Sequence, residues 1–286
     1  MALFGNYKYK DKPDLLPDGP EKNGFVIFWE IIGRKFGKLI IVNLIYFALT
    51  FPMMIVPFLN VSAYYNMNTA ATPEAVVDIF PGASLLIAPM TAIPPTVSAV
   101  MLIVSVILYG PATMGLTYIL RNFAQQKHAW ISDFFSRAWS NFRQGLCFGL
   151  LDVLVFVSLA NGILGNLPGA GNSVAIMRAL CIVALVIYWL MRHYFYTMAV
   201  TIDLSVIQII RNSLMFVLLG FWRNLVAVAV SLGLFFFVFL AVPLITVFAW
   251  PLIFYSFTGF AVVFVCYPII DKYIVSRVNG ENKEAE

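Results

Sequence analysis

GPATMGLTYILRNFAQQKHAWISDFFSRAWSNFRQ, residues 110–144, changes character halfway along. Its first part is apolar through Leu120 and closes a membrane-spanning helix, with Arg121 at the boundary. From Trp130 onward the pattern is amphipathic. Trp130, Ile131, Phe134, Phe135, Ala138, Trp139 and Phe142 recur in pairs about four residues apart and so share one helical face. Ser132, Asp133, Ser136, Arg137, Ser140, Asn141 and Gln144 take the other face. The spacing predicts a helix over Trp130–Gln144 lying on the membrane surface. Phe134, Phe135, Arg137, Trp139, Phe142 and Arg143 are its candidate partner-docking residues.

The chain of 286 residues is 61% hydrophobic and 11% charged, with a mean hydropathy of +0.88. Soluble domains carry about 25% charge, and so few charges cannot cover a water-facing surface. The class is a polytopic membrane protein whose first partner is the lipid bilayer. A net charge of +4 gives no reason to expect a nucleic-acid partner. Cys147, Cys181 and Cys266 sit inside apolar runs and read as small packing residues. Neither they nor His128 and His193 fall at metal-ligand spacing. No phosphate-binding loop, HExxH or paired acidic motif is present. The expectation is a protein that is not an enzyme and carries no cofactor and no metal.

Residues 1–24 mix Lys with Asp and Glu around Pro13, Pro17 and Pro20, and read as a cytoplasmic tail without a cleavable leader. The membrane domain is expected over residues 25–276. Phe25–Lys38 ends in Arg34, Lys35 and Lys38 and predicts a short interfacial helix. Spans are predicted at Leu39–Phe58, Val97–Leu120, Gly145–Asn166, Val174–Met198 and Asn224–Ile245, with a sixth ending near Ile270. Residues 59–95 hold no Lys or Arg and read as an external loop. Asp203–Gly220 is a second amphipathic stretch, with Gln208, Arg211 and Asn212 on its polar side. The apolar run Leu225–Ile270 is long enough for two helices of about 20 residues, which places a hairpin turn near Phe248–Pro251. Residues 277–286 form a second cytoplasmic tail. Of the 18 Lys and Arg residues, only Arg178 falls on the external side of this topology. Positive charge collects in cytoplasmic loops, so both termini are assigned to the cytoplasm. The expected fold is all-α, a bundle of six transmembrane helices with interfacial amphipathic helices. Phe36-Gly37-Lys38, Phe142-Arg143 and Trp222-Arg223 each end an interfacial stretch, which suggests one plan used three times: surface helix, then helical hairpin.

Asp152 is the one carboxylate clearly inside a span, about 13 Å past Arg143. An isolated charge at that depth costs about 2.5–3.5 kcal/mol on the lenient insertion scale. It must be paired, wet or protonated. The chain offers Ser158, Asn161, Tyr188 or a backbone group as partners. Asp152, Asn161 and Arg178 are the candidate intramembrane polar site, read either as a helix clasp or as a site for a proton, a cation or a substrate hydroxyl. Arg178 either snorkels to outer headgroups or approaches Asp152. Arg192 and His193 read as markers of the cytoplasmic interface. Gly110 and Pro111 lie about 15 Å from the end of their helix and are read as a packing kink or a hinge.

The stretch Gly110–Leu146 also resembles the signature of the YesL-like bacterial membrane proteins. That signature is a small-residue turn, an aromatic helix ending in a basic residue, a short polar link, and an amphipathic run that Phe134, Phe135, Trp139, Asn141, Phe142, Arg143 and Gln144 match here. RHYFYTMAVTIDLSVIQIIRNSLMFVLLGFWRN, residues 192–224, is similar to the family's later aromatic segment. In this chain residues 57–105 intervene where family members pass almost directly from the first span to the small-residue turn. The resemblance implies a multi-pass protein of the bacterial cell membrane that accompanies carbohydrate uptake. The expected role is an accessory or regulatory partner of a sugar ABC transporter or of sensor subunits. The competing expectation is a transporter or channel subunit resembling an ABC-type permease, although Trp130–Gln144 lacks the E-A-A-x(3)-G setting of a permease coupling helix.

Overall fold

The computed structural model describes residues 8–9, 23–69, 94–164, 171–241 and 243–275. Both expected tails, apart from residues 8–9 and 23–24, and most of the expected external loop lie outside the described residues. Among the described residues, six helical segments are long and apolar enough to cross a membrane: Gly24–Met53, Thr96–Ala124, Phe142–Ile163, Asn172–Thr201, Phe221–Leu240 and Trp250–Ile274. The fold is an all-α polytopic bundle. Composition leads to this result directly, because a chain in hydrocarbon must bond its own N–H and C=O groups within each segment.

The helices are α1 (Gly24–Thr69), α2 (Pro95–Ala124), α3 (Ile131–Ser140), α4 (Phe142–Leu164), α5 (Asn172–Thr201), α6 (Val206–Leu219), α7 (Phe221–Phe235), α8 (Pro243–Ala249) and α9 (Tyr255–Ile270). Wide π-type turns extend α7 through Phe236–Ala241, lead into α9 at Trp250–Phe254 and follow it at Asp271–Val275. Lys8–Tyr9 (β1) pairs antiparallel with Ile202–Asp203 (β2) and ties the N-terminal region to the link after α5.

The helix that opens the quoted stretch is the axis of the molecule. α2 packs against α1, α3, α4, α5 and α9, and every residue from Tyr109 to Phe123 is buried. Its closest approach is to α4. A Cβ on Gly110 would overlap the Gly145 carbonyl and lie 2.9 Å from Gly149 Cα. Small residues let two membrane helices meet backbone to backbone.

Four boundaries differ from the sequence reading. First, α1 is continuous, joining the expected interfacial helix to the first span and running to Thr69, through Pro52 and Pro57 and into the expected external loop. The basic cluster is an internal anchor rather than a helix end: Lys38 Nζ donates to the Ala129 carbonyl (3.1 Å) and sits over the Trp130 ring. Second, the surface helix is shorter than Trp130–Gln144. Asp133 Oδ2 accepts from the Trp130 N–H (2.8 Å) at its start. The chain breaks at Asn141, whose Nδ2 bonds the Arg137 carbonyl (3.0 Å). Phe142, Arg143 and Gln144 therefore belong to the next span.

Third, α6 keeps only part of its expected polar side, with Gln208 and Arg211 exposed. Ser205 and Gln208 form its capping box, with the Ser205 N–H donating to Gln208 Oε1 (3.1 Å). Asn212 is buried, while Ile207, Leu214 and Leu218 are exposed. Fourth, the last hairpin turns earlier, after Leu240, and Thr246 Oγ1 donates to the Val238 carbonyl (2.6 Å) across the turn. Residues 248–251 are helical and already lead into the sixth span. Fully buried Asn43 of α1 holds that lead-in. Its Nδ2 donates to the carbonyls of Trp250 (3.1 Å) and Pro251 (2.7 Å), and its Oδ1 accepts from the Ser256 N–H (2.8 Å). Pro251 has no N–H, and the wide turn leaves carbonyls that one amide side chain satisfies.

Two of the three repeated units keep the surface-helix-then-span plan, with breaks at Asn141 and Gly220; the first does not. The ends of the spans that carry the basic residues meet on one side. There, buried Arg121 donates to the Val200 carbonyl (3.0 Å) and the Thr201 hydroxyl (3.1 Å) at the end of α5. A cation in that place suits the negative end of the helix dipole. Nearby, Asn224 accepts from the Tyr194 hydroxyl (2.7 Å) and donates to the Val217 carbonyl (2.9 Å), joining α5, α6 and α7.

Candidate functional site

Tyr188, Arg192 and Tyr196 stand four residues apart on α5, so they share one face. That face meets Asp152 of α4, whose side chain is fully buried. Asp152 Oδ1 accepts from the Tyr188 hydroxyl (2.7 Å). Its Oδ2 accepts from Arg192 Nε (2.8 Å) and from the Tyr196 hydroxyl (2.7 Å). Arg192 Nη2 donates onward to the Tyr109 hydroxyl of α2 (2.7 Å). Thr113 gives its hydrogen to the Tyr109 carbonyl (2.7 Å), so in its 3.1 Å contact with Tyr46 the Tyr46 hydroxyl is the donor. The chain of bonds crosses from α4 through α5 and α2 to α1. Three donors on one carboxylate, one of them a guanidinium, make Asp152 tolerable at this depth.

The sequence reading finds Asp152 and names Tyr188 among its partners, but misses the counter-ion. From sequence alone Arg192 reads as interfacial. α5 continues to Thr201, however, which places Arg192 about 13 Å inside the end of its helix. The Tyr188–Arg192–Tyr196 spacing was the available signal. Asn161 and Arg178 are exposed and are not brought to Asp152. Asn161 lies about 13 Å along α4 from it, and Arg178 about 20 Å along α5 from Arg192.

Beside this cluster lies a partly open cavity of about 480 Å³ among α1, α2, α4, α5, α7 and α9. Its polar wall includes Tyr46, Tyr109, Arg192, His193, Ser231 and Thr258. His193 Nδ1 lies 2.7 Å from the Trp189 carbonyl, which can only accept. Nδ1 therefore carries the hydrogen, and in the neutral ring Nε2 is left as an acceptor. Ser231 Oγ and Thr258 Oγ1 are buried and have no hydrogen-bond partner among the described residues. A serine or threonine in a membrane helix ordinarily bonds a carbonyl one turn back, as Thr197, Thr201 and Ser213 do here. The remaining wall is apolar, with Leu185, Val228, Phe235 and Val263 among its residues.

Gly110 and Pro111 sit within continuous α2, where Gly110 forms the tight crossing with α4. Of the docking residues, Phe134 is fully buried and fits against Gly115, where an added Cβ would lie 3.1 Å from its ring. Arg137 Nη2 bonds the Tyr118 hydroxyl (3.3 Å), and its guanidinium lies over that ring. Phe135, Trp139 and Arg143 are exposed, and Phe142 packs beside Trp139. The helix thus spends Phe134 and Arg137 on its own bundle and leaves Phe135 and Trp139 outward. No family model matches the chain, and no curated protein or solved structure matches it either.

Proposed function

We propose that the protein is a non-enzymatic membrane carrier that takes a small molecule into the cavity beside Arg192. One observation carries this reading: a cavity of about 480 Å³ inside the bundle, walled by a bonded charge cluster and by hydroxyls that the fold leaves unused. Its volume falls within the range of about 300–1,000 Å³ typical of small-molecule sites. Polar groups at membrane depth are costly unless they hold helices together or bind something. Asp152 holds helices together. Ser231 and Thr258 bond to nothing else in the described residues, which supports binding. Native mass spectrometry of protein extracted in mild detergent tests the reading. A small molecule is expected on the wild-type chain and lost from Val228→Trp, which fills the cavity. A wild-type chain that carries no such molecule overturns it.

The distribution of basic residues supports both termini in the cytoplasm, and the YesL-like resemblance supports the bacterial cell membrane. Reporter fusions at each end test the first point. A second reading makes the chain an accessory subunit in carbohydrate uptake, docking through Phe135, Trp139 and Arg143. The outward position of these residues favours it, Trp139 being 78% exposed. Affinity purification then recovers sugar-transporter or sensor subunits, and recovery of the chain alone counts against it.

A further inference from the structure

We infer that the cavity takes an uncharged amphiphile, with a hydroxyl- or carbonyl-bearing head and a hydrocarbon tail, that enters sideways from the bilayer between α5 and α7. The inference deepens the carrier reading and rests on it.

The route is read from residues that belong to both the cavity and the outer surface. Val186 of α5 and Leu232 and Phe235 of α7 line the cavity. They are also 40%, 62% and 38% exposed on the flanks of spanning helices. Leu232 lies about 16 Å from the start of α7, so the mouth opens at the level of lipid tails. α5 and α7 are joined below it by the Tyr194–Asn224 bond at the basic end. A water-borne solute would meet this apolar rim only after crossing half the bilayer. A lipid is already there.

The head chemistry follows from the inner wall. Arg192 is the cation of the cavity, but Asp152 neutralises it at 2.8 Å. A carboxylate or phosphate guest would bring an unbalanced charge into a dry site, and burying such a charge is costly. What the wall offers instead is local hydrogen bonding. The Ser231 and Thr258 hydroxyls supply donors without partners among the described residues, and His193 Nε2 supplies an acceptor. Mixed donors and acceptors around a net-neutral pair match a hydroxyl or ester head. The apolar remainder, with Leu185, Val228, Phe235 and Val263, matches a chain.

The test uses phosphatidylcholine vesicles containing the full-length protein and a monoacylglycerol with a diazirine in its acyl chain. Saturable photolabelling is expected at Val186, Leu232 or Phe235. Excess unlabelled monoacylglycerol should remove it, whereas oleate at alkaline pH, as the anion, should compete at least about tenfold less well. Losing two hydrogen bonds predicts that Ser231→Ala with Thr258→Val weakens labelling by roughly tenfold or more, and Val228→Trp should abolish it. Size-exclusion profiles check that each variant is folded. Equal competition by oleate, or labelling spread evenly over lipid-facing surfaces, overturns the inference. If native mass spectrometry finds a bound small molecule while the photoprobe fails, the carrier reading stands and the ligand class is wrong. If both fail, both readings fall.

Discussion

Changing Asp152 to Asn strands Arg192. The pair is buried, and removing one partner of a buried ion pair costs about 3–5 kcal/mol, so thermal unfolding in detergent should drop sharply for Asp152→Asn. The double variant Asp152→Asn with Arg192→Gln should recover part of the loss, because no charge is then left uncompensated. Equal loss in single and double variants would count against the pairing. The same logic applies to Asn43, which satisfies two carbonyls and one N–H. Asn43→Leu keeps the branched shape and loses all three bonds, an expected loss of about 2–4 kcal/mol by the same measurement. At this scale the sequence was half legible. Asp152 stands out because a carboxylate in an apolar run is conspicuous. Asn43 does not, since its partners are backbone atoms of a distant turn that no side-chain pattern announces. Arg192 was misplaced because a basic residue near the end of an apolar run looks interfacial until the true end of the helix is known.

Among the elements, α2 and α3 give the clearest contrasts. Gly110 meets the α4 backbone, so Gly110→Ala forces the two helices apart and should cost about 1–3 kcal/mol. Pro111 meets Gly145 through its backbone, which Pro111→Ala leaves in place, so that variant should change stability by less than about 1 kcal/mol. A hinge at Pro111 would instead reveal itself as altered ligand retention in Pro111→Ala with stability unchanged. On α3, Phe134→Ala removes a fully buried ring and should cost about 3–5 kcal/mol, while Trp139→Ala should lie within about 1 kcal/mol. Both comparisons are read from unfolding midpoints. The periodicity of α3 was visible in the sequence, since aromatic pairs at helical spacing survive any choice of boundary. Which of the aromatic residues enters the bundle was not visible, because that depends on the notch at Gly115 in another helix. Breaks were likewise hidden: Asn141 ends a helix while Pro52 and Pro57 do not, and in a bilayer that outcome depends on which neighbours satisfy the freed backbone groups.

For the molecule as a whole, six spans followed from composition, because hydrocarbon leaves a chain little other choice. The arrangement around α2 did not, since which helix is central depends on small-residue contacts between segments distant in sequence. One consequence concerns the order of synthesis. Asp152 leaves the ribosome 40 residues before Arg192, and Asn43 leaves it 207 residues before the carbonyl of Trp250. α4 and α5 therefore insert best as a pair, and Asn43 of the first helix stays unpaired until the last hairpin arrives. A chain stopped after Ala241 should be cleared quickly in a pulse-chase experiment, and supplying residues 243–286 separately should lengthen its lifetime. One buried amide of the first helix thus waits 207 residues of synthesis for its partner carbonyl.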